Sequence, residues 1–159
     1  LPKQGELGVD GWKGGFEKLV TGGNVREQCL QPVSVTVDDP VAPAERFLGA
    51  PYLWGGNSIW GLDCSGLVQA AFRSAGTPCP ADSDLQQDAL GVALAPEDAL
   101  QRGDLVFWKG HVGIMQSEKT LLHANAHHMT VTSEPLAEVT DRIAASGGGE
   151  ITARKRVAA

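Results

Sequence analysis

PYLWGGNSIWGLDCSGLVQAAF, Pro51 to Phe72, is the stretch whose reading decides the fold. From Cys64 onward, Cys64, Leu67, Val68, Ala71, Phe72 and Ala75 recur at helical spacing, so one apolar helix face begins at the cysteine and Gly76 ends it. Upstream, Gly55, Gly56, Asn57, Ser58 and Gly61 read as a flexible loop. Cys64 is therefore expected in the first turn of a core helix. Unpaired N–H groups and the positive dipole end favour an anion there, enough to bring a thiol from about 8.5 into the ~3.5–7.5 range. The same apolar stripe also fits an inert buried cysteine, and only a neighbouring base separates the two readings.

Working outward, 159 residues at 42% hydrophobic suffice for one core plus a small extension. A net charge of −6 argues against a nucleic-acid or anionic-membrane surface, and no apolar run is long enough to span a bilayer. No signal peptide is visible, and the first residue is Leu1 rather than Met, so the compartment stays open. Nothing in the sequence points to an oligomeric state. Three cysteines are too few for a disulfide scaffold. Cys29 and Cys79 are free to pair or stay reduced, and reduced is expected because a core of this size needs no staple.

Residues 1–42 carry scattered glycines and one alternating run, Val33 to Val37, and read as an appendage of short β pieces ending in a DDPVAP linker. Residues 43–159 form the main domain. Helices are expected from Ala42 to Leu48, closed by Gly49, from an N-cap at Ser83 to Gly91, and as a single turn around Pro96 to Arg102. The pattern then changes to strands: Leu105 to Trp108, a Lys109-Gly110 turn, His111 to Met115, TLLHA and MTVT. A helix over Pro135 to Ala145 and a last strand, ITARKRV, complete the chain. Helices first and an antiparallel meander after make an α+β domain.

A three-residue loop of Gln116, Ser117 and Glu118, closed by Met115 and Lys119, sets His111 opposite His123. Directly opposed side chains have Cβ atoms about 4.5–5.5 Å apart, within reach for two imidazoles, whereas a one-residue slip would put them on opposite faces. Cys64 then reads as nucleophile, His111 as the base that forms a thiolate–imidazolium pair, and His123 as the group that fixes the His111 tautomer. Either histidine also fits a plain polar strand position. His123, His127 and His128 with Cys64 would be a metal set, but they lie between strands and no CxxC or HExxH is present, so neither metal nor cofactor is expected. His127 and His128 are placed at the loop–strand junction or the site mouth.

YLWGG, DCSG opening a helix, RGDLVFW and HVGI together resemble the NlpC-type papain-like cysteine peptidases of bacteria, over about Ala44 to Val157. The resemblance implies a papain-like α+β fold and hydrolysis of peptidoglycan stem peptides, typically at the γ-D-glutamyl bond to a diamino acid. By position it makes Cys64 the nucleophile, His111 the base and His123 the third polar residue. It also implies that Tyr52, Asp63 and Ser65 hold the peptide. Asp63 reads equally as the helix N-cap, and Trp54 and Trp60 as site lining or core, core being the expected reading. The backbone N–H of Cys64 is the natural oxyanion donor. Residues 7–37 read as a remnant of the bacterial SH3-like domain that often precedes such domains. The resemblance leaves the diamino acid open, and the setting as either the cell envelope or cytoplasmic peptide recycling. An amidase or acyltransferase using the same dyad and a silent wall-binding module are the alternatives.

Overall fold

The computed structural model describes residues 7–157. The chain divides into two compact units, Leu1–Thr36 and Val37–Ala159.

In the first unit, β1 (Val9–Lys13), β2 (Phe16–Leu19) and β3 (Asn24–Arg26) form an antiparallel meander. Gly14 and Gly15 turn β1 into β2 with φ of 62° and 80°, a region open to glycine at no steric cost. Val33 to Val37 is not a strand: among the described residues it forms no ladder with another strand, Val37 N–H donating instead to the Ser74 carbonyl at 3.0 Å, and Val33 is 74% exposed. Alternation alone does not make a strand without an edge to pair with.

The second unit contains α1 (Val41–Glu45), a two-residue hairpin of β4 (Asn57–Ser58) and β5 (Gly61–Leu62), α2 (Cys64–Ser74), α3 (Ser83–Ala89) and β6 (Val92–Ala93). It continues through β7 (Leu105–Trp108), β8 (His111–Met115), β9 (Thr120–Asn125), β10 (Thr130–Pro135), α4 (Leu136–Ala145) and β11 (Ala153–Arg156). Six strands make one antiparallel sheet in the order β10-β9-β8-β7-β11-β6. The expected turn at Pro96 to Arg102 is not helical, and the N-cap of α3 is Asp82, one residue before Ser83.

Strand alternation divides the apolar residues between the two faces of this sheet. Leu105, Phe107, Val112, Ile114, Leu122 and Ala124 face α1 and α2 and pack with Leu67, Val68, Phe72 and Phe47. Val106, Trp108, Met115 and Leu121 form a second cluster with Val139 of α4. Each large side chain removed from water contributes roughly 1.5–3 kcal/mol, so the double-sided core fixes both sheet register and helix placement. Asp104, in the RGDLVFW motif, is buried and accepts from Arg156 at 2.9 and 2.7 Å, tying β11 to the start of β7.

Lys109-Gly110 is the two-residue turn the sequence predicts: Trp108 pairs with His111, and Gly110 takes φ 74°. The next loop lies one residue later than expected. Ser117 Oγ accepts from the N–H groups of Lys119 (3.4 Å) and Thr120 (3.2 Å), and Gln116 N–H donates to Thr120 O at 2.8 Å. The serine hydroxyl thus shapes a Ser117–Lys119 loop. Ile114 consequently pairs with Leu122 and Met115 with Leu121.

Trp54 and Trp60 are not core but 82% and 78% exposed. The stretch expected to be flexible is instead closely packed. A Cβ at Gly56 would meet the Gly61 carbonyl at 2.5 Å, and one at Gly66 would collide with the Gly56 carbonyl, so the hairpin backbone lies directly on the first turn of α2 and leaves no room for indoles beneath it.

Candidate active site

Asp63 starts α2. Its Oδ1 accepts from Gly66 N–H at 2.7 Å and from the Ser65 hydroxyl at 3.1 Å, and its Oδ2 accepts from Gly55 N–H at 2.9 Å. It is thus the helix N-cap, and it also ties down the preceding loop. Gln86, fully buried on α3, donates through Nε2 to the carbonyls of Ser65 and Pro80, both at 2.9 Å. The turn that carries Cys64 is therefore held from two sides.

The Cys64 side chain is buried, and its sulfur is faced by the backbone N–H groups of Val112, Ser65 and Cys64 itself. Val112 follows His111, so the start of α2 abuts the start of β8. Burial pushes the thiol up; the Val112 N–H opposes this, and the charge of Asp63 adds to it. Half-buried Tyr52 is raised too, by burial first and then by the nearby Cys64 and Asp63.

With the observed register, His123 lies opposite Gly113 rather than His111. The shift is two residues, so both histidines keep the same face and meet diagonally, His111 Nε2 standing 2.8 Å from His123 Nδ1. Behind them is a group that the sequence reading missed. Glu134, buried on β10, lies with Oε2 2.8 Å from His123 Nε2 and Oε1 3.0 Å from His128 Nε2. Arg142 of α4 donates to the same carboxylate at 2.8 and 2.7 Å. The available signal was the alternation Thr130, Thr132, Glu134, which puts the carboxylate on the face of His123 because Thr132 pairs with His123. His128 belongs to this cluster; His127 stacks edge-on against it in the turn.

Burial pushes His111 down to about 3, with His123 and Arg142 adding to the shift and Glu134 opposing it. Burial likewise lowers His123, against its hydrogen bond to Glu134. Burial opposes the charge on Glu134, but the hydrogen bonds from Arg142, His128 and His123 outweigh it and hold the carboxyl at about 2. Desolvation therefore opposes both charges of the thiolate–imidazolium pair expected between Cys64 and His111, while the N–H groups around the sulfur favour its anion.

The family model described as "NlpC/P60 family" matches residues 49–144, more than half of the chain. The chain belongs to the NlpC/P60 family. It is 38% identical over 112 residues to the gamma-D-glutamyl-L-lysine dipeptidyl-peptidase of Bacillus subtilis (strain 168), covering 63% of this chain and 37% of that protein. The protein of the same name from Bacillus cereus (strain ATCC 10987 / NRS 248) is 36% identical over 107 residues, covering 62% and 32%. The chain thus spans about a third of the length of these relatives. Among solved structures, an NlpC/P60 family protein from Bacillus cereus ATCC 10987 superposes with a TM-score of 0.77 at 27% identity, over 96% of this chain and 54% of that one. An α+β papain-like NlpC/P60 fold with Cys64 opening α2 accounts for the sheet order and helix placement above. Among the described residues no helix is long and apolar enough to cross a membrane.

Proposed function

We propose that this NlpC/P60 chain is a cysteine peptidase that hydrolyses an amide of peptidoglycan stem peptides, at the γ-D-glutamyl bond to a diamino acid. One observation carries the reading: the sulfur of Cys64 lies against the N–H beside His111, and the far nitrogen of His111 is bound to His123. The names of the Bacillus relatives supply the substrate class.

His111 Nε2 is committed to His123, so Nδ1 takes the proton of Cys64 as sulfur bonds to the carbonyl carbon. The oxyanion that forms is met by the N–H of Cys64 at the start of α2. The C–N bond breaks as His111 returns the proton to the leaving amine, giving a thioester. Water then attacks while His111 takes one of its protons; the C–S bond breaks, the acid leaves, and the proton returns to sulfur. Asp63, whose charge meets no cationic side chain among the described residues, and the Tyr52 hydroxyl receive the ammonium end of the peptide. Ser65, spent on Asp63, orients that carboxylate. Residues 1–42 are read as a remnant of an SH3-like domain ahead of a catalytic domain over 43–159. Stem peptides are met in the cell envelope or during cytoplasmic recycling.

The test is incubation with L-Ala-γ-D-Glu-diamino acid peptides and mass analysis of the products. Release of the L-Ala-D-Glu dipeptide, lost in Cys64→Ala and in His111→Ala, is expected. Cleavage elsewhere, or transfer to an amine instead of water, would move the assignment to a related amidase or acyltransferase. Binding without any cleavage, unchanged in Cys64→Ala, would overturn the enzyme reading.

A further inference from the structure

Arg142 donates to both oxygens of Glu134, so the carboxylate stays ionised and acts only as an acceptor. His123 Nε2, 2.8 Å from Oε2, must then be a donor. Asn125 Nδ2 is also near, at 3.2 Å, but its Oδ1 already accepts from the His128 N–H at 2.8 Å, so the amide presents N–H to His123 and cannot take that proton. A neutral His123 with its proton on Nε2 has its lone pair on Nδ1. His111 Nε2, 2.8 Å from that lone pair, must in turn be the donor, and the only lone pair left on His111 is at Nδ1.

We propose that Glu134, clamped by Arg142, is a positioning residue that orders the protons along His123 and His111 and so selects Nδ1 of His111 as the base. The proposal rests on the peptidase reading above and deepens it. Without a carboxylate at 134 either tautomer of His123 is permitted, and part of the His111 population would then carry its proton on Nδ1 and could not act there as a base. The groups facing Glu134 are His123 from β9, His128 from the β9–β10 turn and Arg142 from α4; His111 stands one hydrogen bond further away, and the Asn125 amide lies 3.2 Å from His123 Nε2 without bonding to it in this proton arrangement.

The deciding experiment is nitrogen NMR of the histidine rings at pH 7 in the parent chain, Glu134→Gln and Glu134→Asp, run beside the pH profile of stem-peptide hydrolysis. In the parent, His111 is expected protonated at Nε2 and bare at Nδ1. In Glu134→Gln the two tautomers mix and kcat falls on the order of 10- to 100-fold with KM little changed, while Glu134→Asp recovers most of the loss. Removing the anion also makes the imidazolium harder to form, so the acid limb of the profile moves to lower pH. A parent His111 protonated at Nδ1, or an unchanged tautomer in Glu134→Gln, would overturn the proposal. The parent spectrum decides the matter alone if the glutamine variant does not fold. If the parent cleaves no peptide, the peptidase reading fails while the tautomer measurement still stands.

Discussion

Replacing His111 by alanine tests whether the site rests neutral or charged. Burial holds the imidazole at about 3, so desolvation opposes its protonation at pH 7. Burial raises Cys64 as well, so desolvation opposes the thiolate. In a Cys29→Ser background, which removes the exposed thiol, Cys64 alkylation can be followed with iodoacetamide; Cys79, held up at about 11, stays silent. The rate is expected to climb about tenfold per pH unit from pH 6 to 9 with no acid plateau, because it follows the thiolate alone. His111→Ala should change it less than about threefold below pH 8. Peptide hydrolysis should fall on the order of 10²–10⁴-fold in the same variant, because the base acts only as sulfur attacks. A plateau between pH 5 and 7 that His111→Ala abolishes would refute the reasoning, since it would show that attraction between the two charges outweighs their desolvation.

Asp63→Asn keeps the Oδ1 cap but gives up the acceptor for Gly55 N–H, so urea unfolding should show a loss of about 1 kcal/mol. Because the charge of Asp63 raises the Cys64 thiol, the same variant should alkylate faster at pH 8, and its KM should rise for peptides with a free amino end. Gly66→Ala drives a methyl group into the Gly56 carbonyl and should cost about 1–3 kcal/mol in thermal unfolding; unchanged stability would mean that the hairpin yields there.

Features set by neighbours in the chain were legible in the sequence. The start of α2 at Cys64, its stop at Gly76, the Lys109-Gly110 turn and α4 all follow from periodicity and local backbone chemistry. The failures involve distant partners. Gly55 to Gly61 reads as flexible because glycine is permissive, yet Gly56 and Gly66 are needed for close approach between segments ten residues apart. Trp54 and Trp60 read as core because they are large and apolar, yet that same close approach excludes them. Glu134 is an ordinary charged strand residue until Arg142, His128 and His123 converge on it from α4, the β9–β10 turn and β9.

The histidine pair shows which part of a register argument can be trusted. The loop position was off by one residue because a serine hydroxyl, not loop length, set where the chain reverses. Moving a loop by one residue changes the pairing by two, and a two-residue change restores the same face. The face is fixed independently, because Val112, Ile114, Leu122 and Ala124 must all point toward α2. An error in the loop therefore moved His123 along the strand without turning it away from His111, and diagonal neighbours remain within reach of long side chains. The same parity carries Glu134 to that face through Thr132. A hydrophobic pattern on one side of the sheet has thus fixed the geometry of a polar chain on the other, which is why the site survives the register error that its sequence reading contained.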